Sequence, residues 1–188
     1  MISLPFRRSG RARNIDALYG MIVAQARSSA FYRDYGVPDT VDGRLDMLIL
    51  HLVLLLRRLN RGPSNQTEKT AAMVPAGQEL FDRFCRDIDA NFREMGVGDL
   101  TVPKKMRQVA EAYYGRARAY ESGLEADDAT ALETALARNV FGAAVPPMGA
   151  RRLAAYMREA SCRLDAQPAA SLVGAELDFP RPDSVTSP

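Results

Sequence analysis

The chain has little with which to do chemistry. Its 188 residues include one histidine, His51, and two cysteines, Cys85 and Cys162. A histidine-rich metal site is therefore excluded, and a nucleophile–histidine relay would have to run through His51 alone. Two cysteines so far apart form neither a structural zinc site nor a disulfide framework, and they suit a reducing compartment. No phosphate loop is present. Gly96-Val97-Gly98-Asp99-Leu100 lacks a Gly-Lys-Ser/Thr ending and follows no strand, so it reads as a helix C-cap and turn. Long apolar runs are missing too. The longest, Leu45 to Leu56, is broken by Asp46 and His51. As a helix it reaches roughly 18 Å, against about 30 Å of hydrocarbon in a bilayer. It reads as a buried helix of a soluble protein. An enzyme working with carboxylates would need two acids converging in a pocket. Asp127-Asp128 is better placed as a helix N-terminus, where the macrodipole favours acids.

What is present is helical periodicity. Hydrophobic residues make up 47% and charged ones 26%, with a net charge of +2. A single globular domain of this size can bury a core without disulfides or metal. The spacing predicts an all-α protein, one compact bundle of about six helices. Residues 1–13 form a basic N-terminal arm with Arg7, Arg8, Arg11 and Arg13, residues 14–167 the helical domain, and 168–188 an extended or loose tail. The arm lacks the apolar stretch of a secretory signal and is short for a transit peptide. It points to a bacterial cytoplasm ahead of a mitochondrial matrix.

Asn14 caps a first helix that carries Ile15, Leu18, Tyr19, Ile22, Ala26 and Ala30 and stops near Gly36 and Pro38. A second, over about residues 42–59, is apolar nearly all round and should be central. A polar loop follows from Arg61. The third, from Gln78 to Met95, presents one stripe of Phe81, Phe84, Cys85, Ile88, Phe92 and Met95. Thr101 is the expected N-cap of the fourth, with Pro103 in its first turn. Gly115 in its middle costs about 1 kcal/mol relative to alanine, which a close neighbouring helix would explain. The fifth helix spans Asp128 to Phe141, and a sixth follows Pro146-Pro147.

Charge placement suggests where a partner binds. Arg57, Arg58 and Arg61 end the second helix, where cations suit the dipole. Lys104, Lys105 and Arg107 begin the fourth, where the dipole is already positive and cations cost a few tenths of a kcal/mol. A locally unfavourable placement is a mild pointer to function, with a solvated charged face as the alternative. Arg107, Glu111, Tyr114 and Arg118 share a stripe opposite the buried face, so Tyr114 should stand among charges as interface tyrosines do. Lys104, Lys105, Arg107, Tyr114 and Arg118 are thus candidate partner contacts. His51 reads first as a hydrogen-bonded core or interface histidine and second as a partner contact. A ribosome- or RNA-binding module using the arginine arm and Lys104–Arg107 is the competing function.

Several segments resemble the ubiquinol–cytochrome c chaperone family: Tyr19-Gly-Met-Ile-Val-Ala-Gln-Ala-Arg, Phe31-Tyr-Arg-Asp-Tyr-Gly-Val-Pro-Asp-Thr, Asp42-Gly-Arg-Leu-Asp-Met-Leu, and Glu94-Met-Gly-Val-Gly-Asp-Leu followed by Lys104-Lys105. The resemblance covers roughly residues 14 to 160, in order. It implies an all-helical chaperone that binds newly made cytochrome b and assists assembly of the cytochrome bc1 complex, with no catalytic residue and no cofactor. Mitochondrial members act with a small partner subunit near the ribosomal tunnel exit. The implied partners are cytochrome b, with the ribosome or a small partner protein besides, and no small-molecule substrate. The implied location is bacterial cytoplasm, including the membrane face. The matching segments nominate Asp46, His51, Gly96, Gly98, Asp99, Lys104, Lys105 and Tyr114 as contacts, with structural roles open for Asp46 and the glycines. Core packing is the first reading for Met47, Met95 and Met106, and a groove lined by such residues, which would adapt to apolar client segments because methionine is pliable, is the second.

Overall fold

The computed structural model describes residues 10–61 and 69–185. The arginines at 7 and 8 and most of the polar loop after Arg61 lie outside the described residues. Six long helices run as α1 (Gly10–Ala26), α3 (Val41–Arg61), α4 (Lys69–Glu94), α5 (Val102–Glu125), α6 (Ala129–Val140) and α7 (Met148–Ala166). Two five-residue helices, α2 (Ser29–Arg33) and α8 (Ala169–Val173), and a 3-10 turn at Pro182–Ser184 complete the described elements. No strand occurs among the described residues. The all-α bundle expected from periodicity is what forms.

α3 is the axis. From Asp46 to Leu59 all but Leu48 are buried, and the helix packs on α1, α4, α5, α6 and α7. A helix covered on so many sides needs apolar residues around its whole circumference, which the sequence supplies. Even its terminal arginines turn inward. Arg58 donates from Nε to the Leu164 carbonyl and from a terminal nitrogen to the Gln167 carbonyl, both at 2.8 Å. It thus closes the C-terminus of α7, whose last carbonyls have no helical partner. Arg57 reaches Ser161 Oγ at 2.7 Å and Asp165 at 3.3 Å, and Arg61 pairs with Glu125 of α5. The expectation that these arginines serve their own helix dipole is corrected: they tie α3 to α5 and α7.

Other boundaries move for identifiable reasons. The first helix begins at Gly10, inside the supposed arm, and Arg11 pairs with Glu79 of α4. It also stops early, because Ser28 is extended at ψ 125° and the Tyr32 hydroxyl donates to the Ala26 carbonyl at 2.8 Å. The third predicted helix starts nine residues sooner, at Lys69, and continues through Pro75. Thr101 precedes α5 but makes no side-chain cap bond. Asp128 does cap α6, accepting from the Thr130 amide at 2.8 Å.

The glycine expectation is reversed. Gly115 is exposed, and a Cβ there would meet nothing within 4 Å. The close helix approach falls instead at Gly123, where a Cβ would stand 2.7 Å from the Leu132 backbone and hold α5 away from α6. The tail is packed rather than loose through Val185. Pro180, Pro182 and Val185 are buried, and Phe179 stacks edge-on against His51 at 5.3 Å between centroids.

Candidate binding face

The N-terminal half of α3 escapes full burial. Val41 is 69% exposed, and Leu45 and Leu48 are only half-buried. Opposite them the C-terminal half of α4 offers Ile88, Phe92 and Met95, and α1 closes the side with Val23 and Ala26. These three helices leave an apolar cleft of about 210 Å³. It stays open because the chain turns away after α4. Gly96 takes φ +80° and the next helix begins only at Val102, so α5 does not cover Met95, which is 56% exposed.

A second cleft of about 370 Å³ continues from the first, sharing Val41, Leu45 and Phe92. Its far side is α5, with Lys105, Gln108, Val109, Ala112 and Arg116. Lys105 lays its ammonium 5.7 Å from the Phe92 ring centroid, a cation–π contact that leaves the charge without a carboxylate partner among the described residues. At the base, Asp46 is paired with Arg116, which also approaches the Asn139 carbonyl at 3.5 Å. Burial pushes the Asp46 carboxyl up to about 6, and Arg116 opposes that shift without cancelling it. At the other end of the cleft Arg27 is exposed and has no ion-pair partner among the described residues, while Arg44 is paired with Asp39 at 2.7 Å.

The residues singled out from sequence divide into three groups. Asp99, Lys104, Lys105 and Arg107 gather at the α4–α5 turn. Asp99 pairs with Arg93, Arg107 lies 4.0 Å from Glu111, and Leu100 at the tip is 97% exposed. Tyr114 and Arg118 lie further along α5. Tyr114 is 62% exposed, with its ring 5.2 Å from Tyr113 and 6.0 Å from Phe81. From Lys105 to Tyr114 is about 13 Å at 1.5 Å per residue, so this aromatic ledge is a separate patch from the turn.

His51 and Asp46 form the third group and face inward. His51 is wholly buried between Phe31, Tyr156 and Phe179. Its Nδ1 lies 2.8 Å from the Met47 carbonyl, which can only accept, so Nδ1 carries the proton. Nε2 then accepts from the Tyr156 hydroxyl at 2.8 Å, and that hydroxyl in turn accepts from Gln25 at 2.9 Å. Burial lowers His51 to about 4, so it is neutral near pH 7. Its position is that of a satisfied core histidine, with no surface to offer a partner.

Of the three methionines weighed between core and groove, Met47 is fully buried and Met106 packs half-buried against the core, while Met95 lines the cleft. Sequence reasoning did not find Arg27, Val41, Leu45, Phe92 and Arg116 as cleft residues. They come from the turn after α1 and from α3, α4 and α5, and only the packing of these elements brings them together.

Among the described residues no three potential ligands cluster to hold a metal ion, and no helix is long and apolar enough to cross a membrane. An all-helical body with an open apolar cleft and charged side chains beside it is suited to holding another molecule. The model of the family described as ubiquinol-cytochrome C chaperone matches residues 33–179, and the chain belongs to that family. The crystal structure of the Cbp3 homolog from Brucella abortus is similar at 35% identity, with a TM-score of 0.79 over 96% of this chain and 97% of that one. No curated protein matches. The family and the fold together make this an assembly chaperone of the ubiquinol–cytochrome c reductase, or bc1, pathway.

Proposed function

We propose that the chaperone holds newly made cytochrome b while the bc1 complex assembles, and that the client rests on the cleft between α1, α3 and α4 and on the α4–α5 turn. The observation that carries this reading is an open apolar lining, with Val41 and Met95 exposed and Leu45 and Phe92 half-buried, in a protein of this family. A membrane-protein client presents apolar helices that need cover before they are inserted or paired. Lys104, Lys105 and Arg107 at the turn would orient it. Such a protein acts where the client emerges, at the cytoplasmic face of a bacterial membrane.

Deleting the gene in its native host should lower both cytochrome b and bc1 activity. Re-expressing Val41→Gln/Met95→Gln protein, which changes two exposed side chains, should restore neither fully. Normal cytochrome b in the deletion strain would end the proposal. Binding to ribosomes that falls steeply with salt and ignores the cleft substitutions would favour the nucleic-acid reading instead.

A further inference from the structure

Resting on that reading, we infer that the cleft takes only a short apolar helical segment, about two turns long, flanked by carboxylates. The length follows from the lining. Along α3 the apolar wall runs from Val41 to Leu48, and along α4 from Ile88 to Met95. Seven residues of helix rise about 10 Å, roughly a third of the hydrocarbon thickness that a spanning helix crosses. The cleft therefore grips the end of a membrane helix, or a short amphipathic one, and leaves the rest outside.

The flanks follow from which charges are already neutralised. Arg44, Asp46 and Asp87 line the trough but are held by Asp39, Arg116 and Arg83 respectively. Arg27, at the α1 end, is exposed and has no ion-pair partner among the described residues. At the α5 end Lys105 touches only the face of Phe92, and Lys104 next to it is exposed with no ion-pair partner among the described residues. Asp42 is the opposing free charge, and it has a local reason to be there, in the first turn of α3 where the dipole favours an acid. Arg27 directly follows the C-terminus of α1, where a cation likewise suits the dipole, whereas the two lysines stand against the dipole of their own helix. Both ends of an apolar trough thus offer a cation to an anionic flank.

Fluorescent helical peptides in the presence of the full chain test this. One probe has an apolar core of about seven residues between glutamates, a second has lysine flanks, and a third has glutamate flanks around a polar core. Two exposed charge contacts, each changed from repulsion to attraction, make the glutamate probe bind about tenfold tighter than the lysine probe at low salt. Arg27→Glu/Lys105→Glu should invert that order, and Val41→Gln/Met95→Gln should weaken both apolar probes. Circular dichroism and thermal melts of each variant confirm that the fold is kept.

Equal affinity for the two apolar probes, tight binding of the polar core, or a preference untouched by charge reversal overturns the inference. So does cleft-dependent self-association in sedimentation, or cleft-dependent binding to anionic vesicles that excludes the peptide. If gene deletion lowers cytochrome b while the probes are not distinguished, this occupant fails and the client reading stands. Selective probes with unchanged cytochrome b would mean the reverse.

Discussion

His51 and Asp46 lie five residues apart on α3, and the same cause drives their titrations in opposite directions. Burial lowers the imidazole from 6.5 to about 4 and raises the carboxyl from 3.8 to about 6. Between those values the unfolded chain binds a proton at His51 that the folded chain refuses. The stability from His51 is therefore complete above pH 6.5 and is lost as pH falls toward 4. At Asp46 the folded chain keeps a proton that the unfolded chain has released. That contribution is complete below pH 3.8 and is lost as pH rises through 6. At 1.36 kcal/mol per pH unit each amounts to about 3 kcal/mol, and the two nearly cancel in the native protein. Single substitutions unmask them. For His51→Gln, the advantage of the native protein over the variant should grow by up to about 3 kcal/mol from pH 4 to pH 6.5. For Asp46→Asn it should shrink by a similar amount from pH 4 to pH 6. Urea unfolding followed by circular dichroism at half-unit pH steps measures both differences. Asp34, Asp39 and Asp128, whose partners lower their carboxyls, titrate alike in all three proteins and drop out. Lost hydrogen bonds shift each difference by an amount independent of pH. Slopes of the same sign, or differences flat to within about 0.5 kcal/mol, would refute the burial argument.

Other substitutions separate structure from function. Arg58→Ala should destabilise by about 1–3 kcal/mol in chemical denaturation, since the Gln167 carbonyl loses the arginine's hydrogen bond and the Leu164 carbonyl keeps only the Gln167 amide. Gly123→Ala should lower the melting temperature through its clash with Leu132, costing about 1–3 kcal/mol, whereas Gly115→Ala should raise stability by up to about 1 kcal/mol. Equal effects of the two alanines would contradict the packing of α5 on α6. Lys104→Glu/Lys105→Glu should leave the melting temperature unchanged or slightly higher, because acids suit the start of a helix. The same variant should recover less cytochrome b in pull-downs, and unchanged recovery would remove the lysines from the client site.

The bundle was legible because periodicity reports burial, and burial builds helices. Leu50, His51, Leu52 and Val53 in succession announce a helix covered on all sides, and α3 is that helix. Short-range breaks were harder to read. Ser28 ends α1 with neither glycine nor proline, and the reason lies in Tyr32 bonding back to Ala26. Inward-turned arginines misled for a related reason. At the end of a helix Arg58 looks like a partner for that helix's dipole, and nothing in its neighbours shows that another helix ends beside it. Of the proposed binding face, the sequence marked only the place where charge sits against local electrostatics, at Lys104 and Lys105. Arg27, Leu45 and Phe92 are each unremarkable on their own helix. A cleft belongs to the spacing between helices, which no single periodicity encodes.

A two-turn cleft also constrains how firmly a client is held. Three or four apolar side chains, each partly buried, contribute about 1 kcal/mol apiece or somewhat more. Association itself costs about 4–15 kcal/mol, so the cleft alone gives weak, rapidly reversible binding. Retention then requires a second contact on the same client. The ledge of Phe81 and Tyr114, about 13 Å along α5 from Lys105, lies within reach of a connected segment. Joining two weak sites raises the hold without deepening either, and releasing one lowers it abruptly. That behaviour suits a chaperone that must give up its client to an assembling complex. A single deep, closed pocket would have bound more tightly and released too slowly.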